Sequence, residues 1–193
     1  MFVNTLRVIR LGVAVAVVAS LSACGSGPRV GAMTAPLDPQ HIVAATSPLH
    51  AAVQVTEVIG GDKNNRKWGT TVDNDKFKQA LEQSLSLQAV IAPSGAAKYS
   101  VNAELVELHL PWAGFDVTVT SKVHYVVTRL DDKSLTMNKL IEASYTANFS
   151  DALVAVERGR IASEGAVREN IKSFIATLAE TVQAGPSQVG ASH

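Results

Sequence analysis

From residue 115 to 130 the chain alternates: Phe115, Val117, Val119, Val123, Tyr125 and Val127 fall on one side of an extended segment, and Asp116, Thr118, Thr120, Lys122, His124 and Thr128 on the other. A period of two with one apolar set predicts a strand buried on one face and wet on the other. Asp131, Asp132, Lys133 and Ser134 then interrupt with turn formers, after which Leu135, Met137, Ile141, Ala143, Tyr145, Ala147 and Phe149 resume the same period, broken only by Lys139. Two alternating runs across a short polar turn predict an antiparallel hairpin.

Two further strands precede it. Over Ala51 to Ile59, Val53, Val55 and Ile59 alternate with Gln54, Thr56 and Val58 until Gly60-Gly61-Asp62 makes a turn. Over Tyr99 to Leu110, residues Tyr99, Val101, Ala103 and Leu105 share a face. Between these strands the period changes to that of a helix: behind the N-cap candidates Asp73 and Asn74, Phe77, Ala80, Leu81 and Leu85 return at three- and four-residue spacing. A second, longer helix is predicted between Val156 and Val182, with a stripe of Val167, Ile171, Phe174, Ile175, Leu178 and Val182, stopped by Gly185-Pro186. The expected architecture is α+β: an antiparallel sheet of about four strands with two helices packed on one face.

The first 24 residues follow another logic. Arg7 and Arg10, with no acid, precede the apolar run Leu11 to Ala19 and the small residues before Cys24. This is the order of a secretory signal, and the run is short of the roughly 20 apolar residues a membrane-spanning helix needs. Leu21-Ser22-Ala23-Cys24 resembles the bacterial lipobox; the alternative is an ordinary signal with an incidental cysteine. The resemblance implies that Cys24 is acylated on sulfur, becomes the new N-terminus, and is acylated on its amine, so that several chains hold the protein firmly. Gly25, where an aspartate would favour the inner membrane, implies the outer membrane of a Gram-negative envelope, with the domain facing the periplasm. Residues 25 to 48, rich in Gly and Pro, read as a flexible tether of roughly 25 to 30 Å root-mean-square span. The expected division is therefore signal peptide 1–23, lipidated cysteine and tether 24–49, one domain 50–184, and a loose tail 185–193.

Charge and composition narrow the function by exclusion. The 193 residues hold 17 basic and 17 acidic side chains, and removal of the signal takes away two arginines, leaving a near-neutral chain without a basic block for nucleic acid. One cysteine excludes an internal disulfide. No Gly-x-Ser-x-Gly elbow, P-loop or hexapeptide repeat is present. His109 and His124 belong to strands and, with Glu104, Glu107 or Asp116, are the candidates for a metal or acid-base site, but their spacing matches no recognised metal motif and no metal or other cofactor is expected. Trp112, in Leu110-Pro111-Trp112-Ala113-Gly114-Phe115, is the candidate for an exposed apolar contact, against the commoner outcome of folding back over the sheet edge.

The lipobox, the early strand and Phe77–Leu85 helix, the Asp116-Val117-Thr118-Val119 strand and the final helix with Ala166, Asn170 and Ile171 together resemble the small envelope lipoproteins of the YajG type. More loosely, they resemble the transport-auxiliary and lipopolysaccharide-assembly lipoproteins. The resemblance implies no catalytic residues. The expectation is a membrane-anchored binding or scaffold component of the envelope, attached through acyl chains on Cys24, meeting an envelope protein or lipid through Trp112 and the His124 face. The alternatives are an accessory lipoprotein of a lipid or lipopolysaccharide transport complex, and an envelope hydrolase or transferase built on His109 or His124 with Asp116 or Glu107.

Overall fold

A computed structural model describes residues 27–40, 42–61, 72–110 and 115–183. Cys24, Trp112, the signal peptide and the C-terminal tail lie outside the described residues. In chain order the elements are α1 (Val30–Met33), β1 (Val53–Ile59), α2 (Asn74–Leu87), β2 (Tyr99–His109), β3 (Val117–Arg129), β4 (Leu135–Ala147) and α3 (Ala155–Gln183).

The four strands form one open sheet in the order β1-β2-β3-β4. The hairpin is antiparallel as expected: β3 pairs with β4 from Val117↔Ala147 to Thr128↔Leu135, and β2 with β3 from Tyr99↔Arg129 to His109↔Thr120. The sheet as a whole is not antiparallel, because β1 runs parallel to β2, with Val53 opposite Tyr99. The reason is the connection: α2 carries the chain back along the sheet, so β2 starts at the end where β1 started.

Two bulges also shift faces. The β1 register skips between Val55 and Glu57, so Val58 turns inward at 8% exposure and Ile59 is left 42% exposed, the reverse of simple alternation. In β2 a skip between Leu105 and Glu107 likewise turns Leu108 inward, where it is buried. Gly60, beside the first bulge, has φ +90°, and a Cβ there would sit 2.3 Å from the Leu105 carbonyl oxygen. Only glycine lets β1 end so close to β2.

Both helices cover the same face. Asp73 is the N-cap of α2, its carboxylate accepting from the amides of Asp75 and Lys76, and Phe77, Ala80, Leu81 and Leu85 are buried against β1. The 29 residues of α3 lie across β3 and β4. Its second half buries the expected stripe, with Phe174 stacked on Tyr125 at 4.1 Å between centroids and 11° between planes. Its first half buries small residues instead, Ala162, Ser163, Gly165 and Ala166, and so approaches the sheet closely. A Cβ on Gly165 would fall 2.2 Å from the Tyr145 ring. Gly165→Val is therefore expected to destabilise by about 1–3 kcal/mol through overpacking, read as a lower urea midpoint with unchanged slope.

The tether expected over 24–49 is not loose where it is described. Met33, Ala35, Val43 and Leu49 are buried in the main core, and the Ala35 amide donates to the Ser84 hydroxyl at 2.9 Å. Arg29 is tied to Glu164 through its amide (2.7 Å) and guanidinium (3.1 Å). The isolated apolar residues of this Gly- and Pro-rich stretch fill the groove beside α2 and α3 that two helices on a four-stranded sheet leave open. The folded body thus starts by residue 27 rather than 50.

Candidate functional site

The face of the sheet opposite the helices is open, and alternation places the polar set of each strand on it. Thr118 pairs with Thr146 and Thr120 with Ser144, each at 2.8 Å across β3 and β4. Lys122 sits between Glu107 at 3.0 Å and Glu142 at 3.8 Å. The hydrogen bond and charge of Glu107, with Glu142 adding to them, hold the Lys122 amine above its ordinary pKa. His124 lies on this outward face as expected, half-buried, and meets the Asn138 side chain at 2.5 Å. The face is a row of cross-strand polar pairs, mostly engaged with one another.

The two strand histidines are not brought together. His109 lies opposite Thr120 and His124 opposite Glu104, which places them four residues apart along β3, about 13 Å at 3.3 Å per residue. The carboxylates proposed to serve them have other partners. Glu107 holds Lys122, with His109 Nδ1 at 3.8 Å, beyond hydrogen-bond reach; Asp116 accepts from the Phe149 amide at 2.9 Å. Among the described residues no three His, Cys, Asp or Glu side chains gather as a metal site, and no helix is long and apolar enough to cross a membrane.

Sequence patterning did not reveal a buried polar network on α3. Glu164 is 2% exposed and binds Arg160, one turn earlier, as well as Arg29; Arg160 also holds Glu157. The Glu157 carboxyl is lowered, first by the hydrogen bond from Arg160. Further along, Asn170 is fully buried and donates to the carbonyls of Ser121 (3.2 Å) and Ile141 (2.8 Å) while accepting from the Tyr125 hydroxyl (3.1 Å). Burial pushes the Tyr125 phenol far up, so it stays a neutral donor. Glu164 and Asn170 stand on or beside an apolar stripe, and that was the available signal; helical spacing alone reads them as rim positions.

The second feature missed is an apolar end. Phe115 was expected on the buried side of its strand, yet it is 80% exposed, because it precedes the first β3 pair, Val117↔Ala147, where the sheet stops. Phe149, just past β4, meets it edge to face at 6.0 Å. Arg158 lies over the Phe149 ring at 5.1 Å and donates to the carbonyls of Ala152 and Leu153, folding the β4–α3 connection against it. That connection and the start of α3 present Leu153, Val154 and Val156 at 78%, 65% and 62% exposure. Five large apolar side chains thus stand exposed at one end of the sheet.

No family model matches the chain, and no curated protein is similar to it in sequence. Solved structures are similar in shape. Protein XCC0632 from Xanthomonas campestris, of the family DUF330, shares 11% identity over 82% of this chain and 96% of its own, with a TM-score of 0.60. The hypothetical protein CT253 from Chlamydia trachomatis shares 11% identity over 70% of this chain and 99% of its own, at 0.53. A putative lipoprotein from Caulobacter crescentus CB15 gives 0.49 at 13% identity, over 69% and 92%. The first two show that the fold occurs elsewhere as a whole chain; the third, below 0.5, does not establish it.

Proposed function

We propose that this chain is a lipid-anchored protein of the bacterial envelope, held through Cys24, whose domain serves as a binding or scaffold component for another envelope protein or lipid. The observation that carries the reading is the order at the N-terminus: a basic, apolar and small-residue signal, then Leu21-Ser22-Ala23-Cys24. What supports it from the fold is that Arg29 and Met33, a few residues after Cys24, are already bound into the domain. Gly25 favours the outer membrane and a periplasm-facing domain. The open face of paired polar residues around His124 is the surface offered to a protein partner, and its β4 margin is a free sheet edge.

The anchor is tested by expressing the full chain with its signal in a Gram-negative host and labelling with palmitate. Label is expected on the wild type and reduced at least tenfold in Cys24→Ala, with the mature N-terminal peptide of the wild type carrying acyl mass. Equal labelling of the variant, or a wild type recovered as an unmodified soluble protein, would refute the anchor. Photocrosslinkers placed at His124 in the native envelope are expected to give a discrete adduct identified by mass spectrometry, and a diffuse ladder would count against a specific partner on that face.

A further inference from the structure

We infer that the apolar end of the domain rests on the lipid surface that holds Cys24, so that the protein is docked on the membrane end-first instead of hanging from it. The inference rests on the anchoring reading above and extends it to an orientation.

Three placements converge. First, topology collects at one end the C-termini of β2 and β4 and the N-terminus of β3, while β1 points the same way but stops opposite Glu104, mid-sheet. α3 begins there, following β4 after a short connection, whereas α2 begins where β1 stops, with the Gly61 amide donating to Asn74 at 2.8 Å. Phe115, Phe149, Leu153, Val154 and Val156 all stand at this end.

Second, the chain enters the folded body in the half of the domain that runs to this end, though not at the end itself. A Cβ on Gly27 would lie 3.2 Å from Lys76 Nζ, in the first turn of α2. Arg29 meets Glu164 nine residues into α3, about 13 Å along its axis from the apolar end. Cys24 is three residues before Gly27 and therefore within about 11 Å of it even when fully extended. A tether of roughly 25 to 30 Å would let the domain tumble clear of the headgroups; one of three residues does not.

Third, the composition of this end suits an interface between water and hydrocarbon. Five aromatic and aliphatic side chains stand exposed together here, whereas on the wide sheet face the exposed Leu140 and Val106 are set among Thr, Ser, Lys, Glu and His. An exposed apolar cluster marks a contact surface, and the short chain keeps the acyl groups close to that half of the domain.

The test uses the acylated full chain in vesicles of phosphatidylethanolamine and phosphatidylglycerol. Lipid attachment blocks the Cys24 sulfur, so a cysteine introduced by Leu153→Cys, Phe115→Cys or, at the opposite end of the sheet, Ser134→Cys is the sole thiol open to an environment-sensitive fluorophore. Labels at 153 and 115 are expected to shift to the blue and to lose at least threefold in quenching by aqueous iodide relative to the label at 134. Equal quenching at the three positions in an acylated protein would overturn the docking while leaving the anchor intact. Protection at 153 and 115 in native envelopes but not in pure lipid vesicles would also overturn it, assigning the end to a protein partner. A labelled Cys24 and an N-terminus without acyl mass would overturn the anchoring reading, and the docking with it.

Discussion

Replacing Glu164 with Ala is expected to cost about 3–5 kcal/mol, the largest loss at any single polar side chain of the domain. Glu164 is 2% exposed, and its buried partner Arg160, 9% exposed at the side chain, would keep only Glu157, itself 46% exposed. A buried guanidinium stripped of its inner carboxylate bears a desolvation cost that the outer one, in water, offsets poorly. The Arg29 guanidinium contributes less, because it is 62% exposed and screened; Arg29→Ala should cost about 1 kcal/mol or less. Glu164 also accepts from the Arg29 amide at 2.7 Å, so its loss should loosen residues 27–49 along with α3. Chemical denaturation should therefore show a midpoint shift, and limited proteolysis new cuts between residues 27 and 49, in Glu164→Ala but not in Arg29→Ala. An equal effect of the two substitutions would place the stabilisation in the surface pair instead.

The second large effect is expected at Asn170, whose amide joins α3 to both strands of the hairpin. Asn170→Leu keeps the volume but leaves the Tyr125 hydroxyl without its acceptor and two carbonyls, of Ser121 and Ile141, without that donor. Each buried polar group deprived of its partner costs about 1–3 kcal/mol, and the carbonyls can retain ladder bonds, so a total of about 2–4 kcal/mol is expected, a fall in Tm of roughly 10 °C. Tyr125→Phe added to Asn170→Leu should recover about 1 kcal/mol, because it removes the orphaned hydroxyl and keeps the ring stacked on Phe174. If the double variant were less stable than Asn170→Leu alone, the hydroxyl would have found another partner and the network as described would be wrong.

The polar and apolar halves of the chain were legible to different degrees. Alternation placed Val119, Val123, Tyr125 and Val127 inward and His124 outward, and the structure agrees, since a pleated strand covered by helices on one face admits no other arrangement. Helical spacing likewise picked Phe77, Ala80, Leu81 and Leu85, all buried. The same rule misplaced Val58 and Ile59, because a bulge at Thr56 depends on how β1 meets β2 and leaves no trace in the hydrophobic pattern of β1 alone. It misplaced Phe115 because periodicity says which side a residue faces but not where the covering layer ends. Residues 27–49 looked like a tether because their few apolar side chains show no period, yet Met33 and Leu49 need none to fill a groove.

Sequence alone determined the local preferences: where strands, helices and turns fall, the apolar set of most of them, and the lipobox-like pattern Leu21-Ser22-Ala23-Cys24, all of which depend on residues near one another in the chain. Tertiary structure alone decided the parallel pairing of β1, the burial of Glu164 beside Arg29 and Arg160, and the gathering of Phe115, Phe149, Leu153, Val154 and Val156 at one end of the sheet. These depend on contacts between segments up to 135 residues apart, set by which end of the sheet each connection returns to, and no local pattern encodes that.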